Sequence, residues 1–118
     1  MQNYKELKVW EKSHLLVLDI YRITAKFPKE EIFGITSQIR RSAASIPANI
    51  AEGCGKNSQL DMANFLNISL GSANETDYFL LLCKDLQYIS ETDFFELENT
   101  INTIKAMLIN LITKVRNK

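Results

Sequence analysis

The sequence predicts an all-α protein: one domain over residues 1–118, built as an antiparallel up-down-up-down four-helix bundle. Three observations predict it. Apolar residues recur at three- and four-residue steps in the long segments, and period-two alternation is absent. Only two prolines and four glycines occur, and most of them separate helical periods. The stretch Gln38–Gly53, QIRRSAASIPANIAEG, reads as helix but carries adjacent arginines, many small residues and an internal proline, so the other helices are read as packing around it.

The first helix is expected from about Tyr4 to Phe27, ended by Pro28. Trp10, His14, Val17, Tyr21 and Thr24 mark its inward face, with Leu7, Leu18 and Ala25 beside them. Lys5, Lys8, Lys12, Arg22 and Lys26 share the opposite arc at about 100° per residue. Such a cationic stripe is a candidate nucleic-acid contact, and its plain alternative is a solvated surface.

The second helix starts near Ile35 or Thr36, where Thr36, Ser37 and Gln38 offer capping oxygens, and it ends at Gly53 or Gly55 in a left-handed turn. Ile35, Ile39, Ala43, Ile46 and Ile50 form its core stripe. Pro47 removes one backbone hydrogen bond and is expected to kink the helix, since mid-helix proline costs about 3 kcal/mol. The polar residues Arg40, Arg41, Ser45, Asn49 and Glu52 are expected to form a structural network with Glu75. Arg40 or Arg41 would then pair with Glu75 inside the subunit or across a subunit boundary, or else hold phosphate.

Ser58 followed by Asp61 marks the start of the third helix, which runs to about Leu86. Met62, Phe65, Ile68, Ser72, Phe79, Cys83 and Leu86 make one apolar face. Leu66, Leu70, Ala73 and Leu81 make a second, read as a subunit interface. Gly71 costs about 1 kcal/mol relative to alanine in mid-helix, so close helix packing at Gly71 and Ser72, against the region of Pro47, is the expected compensation.

Ser90 with Asp93 marks the fourth helix. Its residues Phe94, Leu97, Ile101, Ile104, Leu108, Leu111 and Val115 repeat in steps of three and four, a full bundle seam. Acidic residues at its start and Lys114, Arg116 and Lys118 at its end complement the helix dipole.

Charge is balanced at 14 basic and 14 acidic side chains but unevenly spread. Residues 1–29 hold six basic and three acidic groups, residues 58–104 one and eight, and residues 105–118 four and none. Cys54 and Cys83 stand at no ligand-like spacing and there is one histidine, so no metal and no cofactor is expected, and both thiols are read as reduced in a cytoplasmic protein. The charged N-terminus has no apolar signal region and no segment is apolar enough for a membrane. GCGK at Gly53–Lys56 lacks the spacing of a phosphate loop. Glu52, Glu75 and His14 without a nucleophile, metal cluster or phosphate loop make a weak catalytic set, so no enzyme and no small-molecule substrate is expected.

The run FPKEEIFGITSQIRRSAASIPANIAEG, followed by FLNISLGSANE, resembles the four-helix-bundle proteins encoded in intervening sequences of bacterial 23S ribosomal RNA genes. The likeness begins at LKVWEKS, Leu7–Ser13, and covers nearly the whole chain. That family is similar to the accessory protein of diversity-generating retroelements. The resemblance implies a homopentamer of up-down bundles that binds RNA or a nucleic-acid-processing protein through a basic surface. Arg40, Arg41, Ser45, Pro47, Asn49, Glu52, Gly53, Gly71, Ser72 and Glu75 stand at its motif positions. Lys56, Ser69 and Thr76 depart mildly from it, and the zero net charge departs from the strongly basic surface of the retroelement protein. Two functions follow as expectations: a self-assembling bundle that binds RNA through the helix-one stripe, or a protein–protein scaffold with no nucleic-acid partner.

Overall fold

Residues 2–117 are described by a computed structural model. The chain forms α1 (Lys8–Thr24), α2 (Ile35–Cys54), α3 (Gln59–Asp85) and α4 (Glu91–Arg116), and no strand occurs among the described residues. Each helix packs on the next and α4 packs on α1, which sets α1 diagonally across from α3 and α2 across from α4. The bundle measures 46 × 24 × 20 Å. Its register is antiparallel between α2 and α3: Ser42 meets Thr76, Ile46 meets Ser69, and Gly53 lies against Phe65.

Local chemistry accounts for the ends of the helices. Ser58 Oγ accepts from the Asp61 amide at 3.0 Å, and Ser90 Oγ accepts from the Asp93 amide at 3.1 Å, each satisfying an orphan donor of the first turn. At the start of α2 the expected side-chain cap is absent: Gly34 is the N-cap residue, and Glu31 Oε1, from the preceding 3-10 turn, accepts from the Ile35 amide at 3.4 Å. Nor does α2 end in a left-handed glycine, since no described glycine has positive φ. The left-handed residue is Gln87, at φ 65°, just past α3. There the Gln87 amide donates to the Lys84 carbonyl and the Tyr88 amide to the Cys83 carbonyl, both at 2.9 Å, a Schellman ending. Replacing Gln87 by glycine is therefore expected to stabilise the fold by about 1 kcal/mol, because glycine carries no Cβ to strain that conformation. Urea denaturation checks this, and a variant less stable than the parent would refute it.

The core comes from the stripes expected of α2 and α4. Ile39, Ala43, Ile46 and Ile50 are fully buried, as are Ile101, Ile104 and Leu108, and Phe94, Leu97 and Val115 join them. Leu111 is half-buried and Ile112 takes the inward place beside it. Pro47 is buried within α2, which continues through it to Cys54; a bend there remains the expectation set by its missing amide hydrogen.

Two faces differ from the expectation. On α1 the inward residues are Val9, Ser13, Leu16, Ile20 and Thr24, while His14, Leu18 and Tyr21 are exposed. The helix begins only at Lys8 because Leu7 is extended, so Lys5 lies in a separate 3-10 turn. The polar Ser13 and Thr24 tolerate burial because their hydroxyls donate to carbonyls of their own helix, Trp10 at 2.9 Å and Ile20 at 2.7 Å. On α3, Leu66 and Ala73 are fully buried in the bundle core, so they are not a subunit interface; Leu70 is half-buried and Leu81 exposed. Among the described residues no helix is long and apolar enough to cross a membrane.

Candidate functional site

The cationic stripe divides into two parts. Lys5, Lys8 and Lys12 are exposed and have no acidic partner among the ion pairs of the described residues. Lys8 and Lys12 are one turn apart on α1, and Lys5 precedes them in the 3-10 turn. Arg22 is different, since its guanidinium bonds Asp19 at 2.6 Å. Arg22 and Lys26, the latter beyond the end of α1, line a cleft together with Asp19, Asp93 and Glu96. The acidic start of α4 thus offsets the far end of the stripe, and the free cations sit at the near end.

The near end also gathers cations that are distant in sequence. The N-terminal tail is tied to the end of α2 by the Gln2 amide, which donates to the Cys54 carbonyl at 3.0 Å. Beside it Lys56, Asn57, Ser58 and Gln59 face Lys114 and Val115 across an open cleft of about 320 Å³. Arg116 follows on the last turn of α4. By sequence, Lys114 and Arg116 complement the helix dipole and belong to a basic C-terminal tail on which, together with the helix-one stripe, a basic surface would depend. The up-down order of four helices was the available signal, because it returns the end of the fourth helix to the start of the first. Lys118, expected with them, lies outside the described residues.

The polar residues of α2 do not form one network. Arg40 turns toward α1: its Nε donates to Thr24 Oγ1 at 2.7 Å, and its guanidinium lies 4.5 Å from the centroid of the Tyr21 ring. It therefore does not pair with Glu75 within the subunit. Ser45 and Ser72 join by their hydroxyls at 2.8 Å, and Asn49 Nδ2 donates to the Ser45 carbonyl at 2.8 Å and hydroxyl at 2.9 Å. Deeper in the contact, Ser69 Oγ donates to the Ile46 carbonyl at 2.8 Å, and Thr76 Oγ1 lies 2.9 Å from Ser42 Oγ. Unpaired, each such buried hydroxyl would cost about 1–3 kcal/mol, so this ladder fixes the register of α2 on α3. Arg41, Glu52 and Glu75 are exposed and make no ion pair among the described residues. Arg41 and Glu75 do line one open cleft with Gln38 and Phe79.

The close approach of α2 to α3 occurs at Gly53. A Cβ there would stand 3.1 Å from Phe65 Cβ and 3.2 Å from the Met62 carbonyl oxygen. Gly71, expected to do this, is exposed, and a Cβ on it meets nothing within 4 Å. Ser72, its neighbour, does take part through Ser45.

His14 stacks on Trp10 with ring centroids 5.0 Å apart, in an apolar groove with Ala44, Pro47, Ala48 and Ala51. Glu75 lines a different cleft, and Glu52 neither. The three groups that an acid–base site would need are thus spread over separate surfaces.

Comparison with known proteins agrees with this architecture. A family model described as 23S rRNA-intervening sequence protein matches residues 5–110. A crystal structure of a protein with unknown function from the S23 ribosomal protein family of Bacteroides thetaiotaomicron VPI-5482 is 35% identical. It superposes with a TM-score of 0.83 over 89% of this chain and 95% of that one. A search of curated proteins found no match. With the four helices, the small-residue α2 and a family match over nearly its whole length, the chain belongs to the 23S rRNA-intervening sequence protein family.

Proposed function

We propose that the protein is a non-enzymatic, self-assembling helical bundle that binds RNA, or an RNA-bearing partner in nucleic-acid processing, through its basic end. The observation that carries the reading is the cluster of unpaired cations Lys5, Lys8 and Lys12 at the end of the bundle that also holds Lys56, Lys114 and Arg116. Phosphate groups are the natural counterions for such a surface, and binding one releases condensed cations from the nucleic acid. The family description names 23S rRNA, which makes ribosomal RNA the first partner to try. A pentamer is the assembly implied by the resemblance, and the cytoplasm is the compartment where this RNA is met. Arg22 and Lys26 contribute less in this reading, being matched by neighbouring carboxylates.

Fluorescence anisotropy with a 23S rRNA fragment, titrated at several salt concentrations, tests the proposal. Affinity is expected to fall steeply with salt, and the double variant Lys8→Glu, Lys12→Glu to bind about 10- to 100-fold more weakly with a shallower salt slope. Absence of binding at low salt, or equal affinity in the variant, refutes it and leaves the scaffold reading.

A further inference from the structure

The outer faces of α3 and α1 show an unused complementarity. α3 is buried along one side by Met62, Leu66, Ala73 and Leu80, yet Ile68 is 51% and Tyr78 56% exposed on the other. Gly71 lies in the middle of that outer arc, and the space above it is open. The subunit itself supplies no packing reason for glycine at this position; the missing side chain leaves a shallow recess between Ile68 and Glu75. On α1 the outer arc presents Leu15 and Leu18, 52% and 45% exposed, and Arg22 follows one turn after Leu18.

These two arcs stand diagonally across the bundle, because α1 and α3 each pack on both α2 and α4. They also stand at one height. Arg40 on α2 meets Thr24 on α1, and Ser42, half a turn further along α2, meets Thr76 on α3. Counting back along the parallel α1 and α3 at about 1.5 Å per residue brings Leu18 level with Gly71, and Arg22 level with Glu75, within roughly one turn. Charge agrees as well. Glu75 makes no ion pair among the described residues, although Arg41 lines the same cleft, and Arg22, exposed and held by Asp19 beside the acidic start of α4, keeps donors free in its five-donor guanidinium.

We infer that the occupant of the outer face of α3 is the outer face of α1 from a second copy of this chain, with Leu15 and Leu18 seated over Ile68 and Gly71 and Arg22 facing Glu75. This rests on the self-assembly reading above and names its two surfaces. Because the surfaces differ, the contact is heterologous; because they share one height, repeating it adds no rise along the bundle axis, as a closed ring requires. Lys12 stands about 60° round α1 from Leu15 and Lys5 precedes the helix, so both are left to RNA, whereas Lys8 lies on the Leu15 arc two turns before it and borders the contact.

Disulfide trapping tests it. Leu15→Cys and Ile68→Cys are made separately and also co-expressed, with Cys54 and Cys83 buried and out of reach of the oxidant. A cross-linked dimer is expected from the co-expressed pair and from neither variant alone. Equal cross-linking of either variant with itself would mean a like-with-like contact and overturn the inference. In parallel, Gly71→Leu fills the recess without touching its own subunit, so light scattering should show the assembly reduced to monomer with the helical circular dichroism kept. An unchanged assembly in Gly71→Leu overturns the inference while leaving self-assembly in place. A monomeric parent protein, by contrast, removes the self-assembly reading itself.

Discussion

Replacing Leu66 by alanine is expected to lower the free energy of unfolding by about 2–5 kcal/mol, whereas Leu81→Ala lowers it by only about 1 kcal/mol. Both residues belong to the same apolar arc of the third helix when read from sequence. In the folded chain Leu66 is 0% exposed, within the cluster that includes Ile46, Ile50, Ile104 and Leu108, and Leu81 is 40% exposed. Truncating Leu66 removes buried methyl groups and leaves a cavity that well-packed neighbours fill only in part. Truncating Leu81 removes a side chain that already borders water, so no closed cavity is left behind. Urea denaturation at matched protein concentration separates the two, since assembly would otherwise shift the apparent stability. A Leu66→Ala variant of parental stability but altered oligomeric state would return Leu66 to a subunit interface and contradict the core described here.

The thiol of Cys83 is expected to react with iodoacetamide at pH 9 on the order of 100- to 1,000-fold more slowly in the folded protein than in the denatured chain. Burial, with a smaller push from the Glu31 carboxylate, raises its pKa from 9.0 to about 12. Thiolate is the reacting species, so its fraction sets the rate. The same shift links stability to pH. A group whose folded pKa lies above its unfolded value stabilises the fold fully below the unfolded pKa and loses that contribution as pH rises through the folded one. Stability should therefore decline as pH climbs from about 9 toward 12. Cys54, raised by burial, adds to the decline. Tyr88 adds to it at higher pH, because its hydroxyl donates to Glu31 at 2.8 Å and that bond favours the protonated phenol. Thermal melts at pH 8 and pH 10 measure the effect, and Cys83→Ala should make the fall shallower. Alkylation of Cys83 at equal rates in folded and denatured protein would show that the residue is open to solvent.

Much of the architecture was legible because it is local. A Ser-x-x-Asp start places the hydroxyl acceptor beside the amide three residues on, whatever the rest of the chain does, and both such caps formed. The stripes of α2 and α4 repeat strictly enough to admit one inward face. α1 and α3 were less legible for opposite reasons. On α1 Thr24 is buried as its spacing predicts, but Ser13, with Leu16 and Ile20, holds the inward positions that the spacing assigns to Trp10, His14 and Tyr21. On α3 apolar residues surround most of the circumference, so periodicity cannot choose a face.

The candidate site divides in the same way. Adjacent residues on a helix point about 100° apart, so Arg40 and Arg41, a pair in sequence, go to different surfaces, one against α1 and one into an open cleft. Glycine carries no side chain whose character reveals its surroundings; only the position of α3 showed that Gly53 is the crowded one and Gly71 the open one. The sequence by itself determined four helices, the serine caps of α3 and α4, two core stripes and the family, because each depends on residues within a few turns of one another. Tertiary structure alone decided which cations are free, which end of the bundle they share and which helix faces remain uncovered, because those depend on how distant segments are brought side by side.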